Sequence, residues 1–281
     1  KAKGYNCVED ALKDVDYFNW PVIVKPVDSA GRKGVTKVTE VSQLKESVDF
    51  ALACSISKHI IIEDFLDKVG AQSSVDIFTV DGKLVYPAYS NQLFDPNAAN
   101  PYTPAIEIWP SSMEQKYQND LTEQLQRLVT LLGMKSGIYN VESRVCSNGK
   151  AYIMEVSPRG GGNRIAELQD MATGSSLIRA EICKALGLPM EDIHAPEYDG
   201  VWCNYILHSD KEGTLESIEI DPVFEAKYIK DKGFIVKKGD HIVPFTGANT
   251  SLGTLFLRAE TREELDKILL SIENKIIVRF V

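Results

Sequence analysis

"GIYNVESRVCSNGKAYIMEVSPR", residues 137 to 159, is the stretch whose reading decides the fold. Asn148-Gly149 is a hairpin-turn dipeptide lying between two runs with strand-like patterning. Side chains two apart in a strand share a face, so Glu155, Ser157 and Arg159 converge on one side of the chain. Closing the hairpin brings Glu142 of the first strand near Glu155 of the second. Two close carboxylates resist joint ionisation unless a cation lies between them. The pair is therefore either two solvated strand residues or a cation site. Magnesium suits the second reading, because it takes oxygen ligands from carboxylates and substrate phosphates. Arg159 then adds a planar positive fork beside the metal.

Upstream, "PVIVKPV" (21 to 27) is an apolar strand broken by Lys25, followed by the loop "DSAGRKG" (28 to 34) and a return strand in "VTKVTE". Lys25 is either an edge residue with its ammonium in water or a cation aimed at an anion. The loop favours the second, since main-chain amides of Ser29, Ala30, Gly31 and Gly34 can wrap phosphate oxygens. Its spacing is not that of a Walker loop. "HIIIEDFL" (59 to 66) reads as a buried strand running into a hinge. Such a hinge can offer an adenine ring an apolar slot and main-chain edge groups, although strands also end in acids with no ligand nearby.

A helix follows from the apolar spacing of Leu44, Val48, Ala51 and Leu52, a second hairpin turns at Asp81-Gly82, and residues 112 to 132 form an amphipathic helix ending at Gly133. Glycines in "GGGNRIAELQDMATG" (160 to 174) permit close backbone approach to a ligand. Arg164 there is either a clamp for a substrate carboxylate or a surface residue. Strands and helices mix without strict alternation, which predicts an α+β architecture. The proline-rich segment "LGLPMEDIHAPEYDG" (186 to 200) marks an expected boundary, with a domain over residues 1 to 190 and a strand-rich α+β subdomain over 191 to 281.

A net charge of -9 argues against binding nucleic acid or an anionic membrane through bulk attraction. No apolar run is long enough to span a bilayer. The five cysteines are scattered without metal-ligand spacing, which suits reduced thiols in a cytoplasmic protein. None of the four histidines sits in a nucleophile motif. The chain opens without an initiator Met, which suggests a fragment.

In this order of parts, lysine strand, glycine loop, acidic hinge, glutamate strand and then Glu-x-Ser-x-Arg, the chain resembles the ATP-grasp superfamily over residues 17 to 190. The hairpin at 137 to 159 with "MATG" is similar to carbamoyl phosphate synthetase large chains. "VKKGDHIVPFTGANTSLGTLFLRAETREELDKIL" is similar to the tail of L-amino acid ligases. The resemblance implies an ATP-grasp fold of two α+β subdomains gripping ATP, with a preceding N-terminal domain absent from this chain. It implies Lys25 and the loop from Ser29 to Gly34 on the phosphates, and Glu63 with the backbone of Asp64, Phe65 and Leu66 at the adenine hinge. Ile23, Leu66 and Met154 would line the adenine slot. Glu142, Glu155 and Ser157 would hold Mg2+ or Mn2+, and Arg159 would meet the transferring phosphoryl group. Gln72 stands where the family usually has a glutamate for the ribose hydroxyls, and Ser157 replaces the commoner asparagine.

The reaction so implied joins a small-molecule carboxylate to an amine through an acyl phosphate, releasing ADP. Alternatives are a carbamoyl phosphate or purine-pathway type of enzyme and a nucleotide-binding module without turnover. Partners would be the missing N-terminal domain and, in a homodimer, a second copy.

Overall fold

The computed structural model describes every residue except Ala30, Gly31, Arg32, Tyr102 and Glu191. The chain forms two compact units, Lys1–Asp67 and Lys68–Val281. This division is not the one expected near residue 190.

The first unit holds β1 (Ala2–Tyr5), α1 (Val8–Lys13), β2 (Val22–Pro26), β3 (Thr36–Val38), α2 (Leu44–Cys54) and β4 (Ile60–Asp64). Its four strands lie in the order β1-β4-β2-β3, each pair antiparallel. Val22 and Val24 of β2 and Ile60 and Ile62 of β4 are fully buried against Leu44, Val48 and Ala51 of α2. Their alternation leaves Ile23, Lys25, Ile61 and Glu63 for the opposite face. Gly34 closes the loop after β2 at φ 81°, where a Cβ would come within 2.7 Å of both Pro26 Cγ and Cys54 Cβ. Only glycine fits that return.

The second unit begins with β5 (Ser73–Val80), β6 (Lys83–Pro87), β7 (Asn91–Phe94), β8 (Pro104–Trp109), α3 (Gln115–Leu131), β9 (Gly137–Val145) and β10 (Ala151–Ser157). It continues with α4 (Ile165–Thr173), α5 (Leu177–Leu186), β11 (Val201–Leu207), β12 (Gly213–Ile220), α6 (Pro222–Tyr228), β13 (Ile229–Phe234), β14 (His241–Ile242), β15 (Gly253–Ala259), α7 (Arg262–Leu270) and β16 (Ile276–Phe280). Both expected hairpins form: Asp81 and Gly82 take φ of 48° and 78°, and Gly149 takes 73°. One sheet runs β10-β9-β5-β6, a second β13-β15-β11-β8-β7, and a third β14-β12-β16. The second sheet joins strands from either side of residue 190. Its strands β7 and β8 come from "NQLFDPNAANPYTPAIEIWP" (91 to 110), a stretch that reads in sequence as a loop; β7 pairs with β8, and β8 with β11 from beyond the expected boundary. Ile193 of the proline-rich segment is itself buried with Phe78, Tyr86 and Leu177. Among the described residues, no helix is long and apolar enough to cross a membrane. All five cysteines are free thiols.

Candidate active site

In the first unit, Lys25 Nζ lies 2.7 Å from Glu63 Oε2, a pairing that the strand register explains. Ile23 is the direct partner of Glu63 across β2 and β4, so Lys25 sits one step along the same face. Both side chains stay partly accessible, so the ammonium is oriented yet still able to meet an anion. Asp28 anchors the start of the glycine loop: its carboxylate accepts from Ser55 Oγ at 2.8 Å, Ile56 N at 3.1 Å and Ser57 N at 2.7 Å. These bonds, Ser57 foremost, hold its pKa well below the usual carboxylate range. Ser29 is partly exposed beside that anchor, whereas Ala30 and Gly31 lie outside the described residues. Gly34 is buried, and what it contributes is the tight return of the loop.

The hinge segment is more engaged than its sequence suggests. Asp64 N donates to Lys1 O at 2.9 Å and Phe65 N to Pro21 O at 3.0 Å, so those two amides are already used. The Asp64 carboxylate accepts from Asn19 N at 2.9 Å and Asn19 Nδ2 at 2.7 Å. Of the expected hinge amides, Leu66 N is thus the remaining candidate donor. Lys37 Nζ lies 3.7 Å from the Phe65 ring centroid, which fixes that ring.

In the second unit, Glu155 and Glu142 are direct partners across β10 and β9, and Ser157 is paired with Asn140 one step on. The register shifts between Ile153 and Glu155, leaving Met154 as the extra residue of a bulge. Ser74 and Asp76 of β5 face Glu142 and Asn140 in turn, so one face of the sheet is a polar field. Ser157 Oγ donates to Glu155 Oε1 at 2.8 Å. Glu155 is exposed, and Glu142 and Ser157 are partly so. Like charges directly opposite one another in a sheet are destabilising, and a hard divalent cation relieves that repulsion. The donor set of two carboxylates and a hydroxyl therefore fits magnesium. Among the described residues, no group of three or more His, Cys, Asp or Glu side chains is gathered to cage a metal alone. A cation here needs ligands from water or substrate as well.

Arg159 is exposed after β10, with Nη1 donating to Gly160 O at 2.8 Å. Its charge acts on Asp76, the carboxylate beneath the glycine run. Asp76 Oδ1 accepts from Gly161 N at 2.7 Å and Asn140 Nδ2 at 3.0 Å. Burial nevertheless pushes its pKa up to about 6. Arg164 caps α4 and is held by two carboxylates, Glu167 at 2.7 Å and Asp231 at 2.5 Å, while stacking 4.6 Å from the Phe256 ring. Its Nη1 is buried with no hydrogen-bond partner.

Gln72 is only 2% exposed. Its Nε2 donates at 3.1 Å to both Glu142 Oε2 and Gln92 Oε1, and its Oε1 accepts from Arg144 Nη2 at 2.8 Å. It supports the candidate metal ligand from below. Sequence reasoning passed over Asp76 and Glu107, each a carboxylate flanked on both sides by apolar strand residues. The same signal had drawn attention to Lys25.

An ATP-grasp domain model matches residues 18 to 167. The chain is 27% identical over 185 residues to the C-terminal section of the carbamoyl phosphate synthase large chain of Aquifex aeolicus, covering 66% of this chain and 33% of that one. It is 29% identical over 201 residues to the D-alanine–D-alanine ligase of Parabacteroides distasonis, covering 68% of this chain and 54% of that one. The chain thus spans between a third and about half of these relatives. The crystal structure of an L-amino acid ligase from Bacillus licheniformis superposes with a TM-score of 0.75 at 20% identity, covering 100% of this chain and 67% of that one. That last likeness is one of fold.

Proposed function

The chain belongs to the ATP-grasp domain family, and from this premise we propose that it is the nucleotide-binding and catalytic part of an ADP-forming carboxylate–amine ligase. The observation that carries the reading is the in-register pair Glu142 and Glu155 with Ser157 on the same strand face. Lys25, kept in place by Glu63, and the amides of the loop from Ser29 to Gly34 serve the phosphates of ATP. Ile23 and Leu66 of the first unit and Met154 of the second are the proposed adenine contacts, with Leu66 as the hinge donor. Glu142, Glu155 and Ser157 hold magnesium or manganese, which supplies neutralisation of phosphate charge when bound. Arg159 presents its guanidinium to the group in transfer.

The bond made first joins a substrate carboxylate oxygen to the γ-phosphorus as the bond to ADP breaks. An amine then attacks the acyl carbon, phosphate leaves, and an amide results. Phosphoryl transfer asks the protein for positioning and charge rather than a covalent nucleophile, which is what this set of residues offers. Free cysteines suit a cytoplasmic setting. Small-molecule acid and amine substrates follow from the reaction. A further domain of the same protein, and a homodimer, complete the proposed partners.

The test is metal-dependent ADP release by the full-length enzyme. Glu142→Gln and Glu155→Gln should each abolish it while circular dichroism stays unchanged, and turnover retained by both would overturn the proposal. Similarity to the carbamoyl phosphate synthase large chain favours one second reading, with bicarbonate as the acid. Bicarbonate would then stimulate ADP release, and amino acids would not.

A further inference from the structure

Glu107 is 3% exposed in β8, between Ile106 and Ile108, which turn to the opposite, apolar side. Its Oε1 accepts from Gln92 Nε2 at 2.9 Å, and Gln92 is its direct partner across β7 and β8. Gln92 Oε1 accepts in turn from Gln72 Nε2, which also donates to Glu142 Oε2. Arg144 donating to Gln72 Oε1 settles which end of that amide is which. Donation therefore runs outward from Gln72 both ways, directly to Glu142 at one end and through Gln92 to Glu107 at the other.

Its far end is incomplete as an anion. Glu107 Oε2 is buried with no hydrogen-bond partner. Asn204, directly opposite on β11 and fully buried, spends Nδ2 on Asn163 O at 2.6 Å, and its Oδ1 is likewise buried without a partner. Two acceptors on facing residues lack one donor, and leaving both unsatisfied is costly. An ionised carboxylate has no donor to give, whereas a protonated one has a single O–H.

We propose that Glu107 is a neutral carboxylic acid that donates to Asn204 Oδ1 and, through Gln92 and Gln72, sets the orientation of Glu142. Burial independently pushes its pKa up to about 8; Gln92 opposes that rise, and the charges of Asp76 and Glu142 add to it. Glu107 is on this account a positioning residue, acting two side chains away from the metal ligand. The inference rests on the reading of Glu142 as that ligand.

The experiment uses the full-length enzyme and two readouts. Infrared difference spectra at neutral pH should show the carbonyl stretch of a buried carboxylic acid that disappears in Glu107→Gln. Mn2+ binding, followed by electron paramagnetic resonance without turnover, should stay within about threefold for Glu107→Gln, whose amide both donates and accepts. Glu107→Ala and the near-isosteric Gln92→Met should each weaken it about tenfold or more, as loss of support around a metal ligand does. Absence of the infrared band overturns the proposal, as does Gln92→Met with unchanged Mn2+ binding, or Glu107→Gln as damaging as Glu107→Ala. Mn2+ binding unaffected by Glu142→Gln overturns instead the reading of Glu142 as ligand, and the infrared band still reports the proton on Glu107.

Discussion

Glu155 stands directly opposite Glu142 because β10 carries one extra residue, Met154, between Ile153 and that pair. Counting strictly from the turn, Tyr152 faces Arg144 and Ile153 faces Ser143, so a regular strand would set Met154 against Glu142 and send Glu155 to the other face. The bulge aims the second carboxylate. Deleting Met154 removes the extra residue while keeping the register, so Mn2+ binding should survive. If Met154 serves the adenine slot as proposed, the apparent KM for ATP should rise, because that slot loses a side chain. Loss of Mn2+ binding on deletion would show that the bulge also shapes the ligand set.

Lys25→Met removes the ammonium while keeping much of the apolar stem. Loss of a charge-assisted contact to phosphate is worth about 1.5 to 3 kcal/mol, so the KM for ATP should rise roughly tenfold to a hundredfold. Equilibrium binding of ATP measured by calorimetry checks it, with unchanged affinity as the adverse result.

Gly34→Ala forces a Cβ against Pro26 and Cys54 at a positive φ. A cost of about 1 to 3 kcal/mol is expected from strain and overpacking. Urea denaturation reads that cost directly, and a stability equal to wild type would mean that the loop relaxes.

Asp76 carries a pH signature. Its folded pKa of about 6 lies above the ordinary 3.8, so between those values the folded state holds more proton than the unfolded state. Stability contributed at this site is present below pH 4 and is lost as pH rises through 6. The span corresponds to roughly 3 kcal/mol at about 1.4 kcal/mol per unit. Asp76→Asn removes the titration, so the variant's stability relative to wild type should climb across this range and then level off. A difference constant with pH from 4 to 7 would contradict the assignment.

Arg164→Gln should lower stability by about 1 kcal/mol, because its two ion pairs are partly solvent-screened. If the residue also clamps a substrate carboxylate, the KM for the acid rises while that for ATP does not. Thermal melts and separate titration of the two substrates distinguish these effects.

Much of the local architecture was legible because turns and periodicity are local codes. Asn148-Gly149 and Asp81-Gly82 name their hairpins, and the apolar runs at 22 to 26 and 60 to 64 mark two strands of the first unit. Pairing between distant segments has no such code. Residues 91 to 110 carry Pro96, Asn97 and Pro101 and read as a loop, yet their ends are β7 and β8. The bulge at Met154 was hidden for a related reason, since it is set by the register of the whole hairpin and changes no residue type. Glu107 and Asp76 were visible in principle as carboxylates between apolar neighbours within strands. What distinguishes them from solvated strand positions is the second sheet face and glycine run that cover them, which only tertiary structure supplies.

Trp109 of β8 is the partner of Trp202 of β11, and the whole β9–β10 hairpin lies between them in the chain. During synthesis the strand bearing Glu107 must therefore wait, with one edge unpaired, until the ribosome has passed residue 207. The first unit and the sheet of β10, β9, β5 and β6 can close earlier, so it is the second sheet whose assembly is expected to finish late.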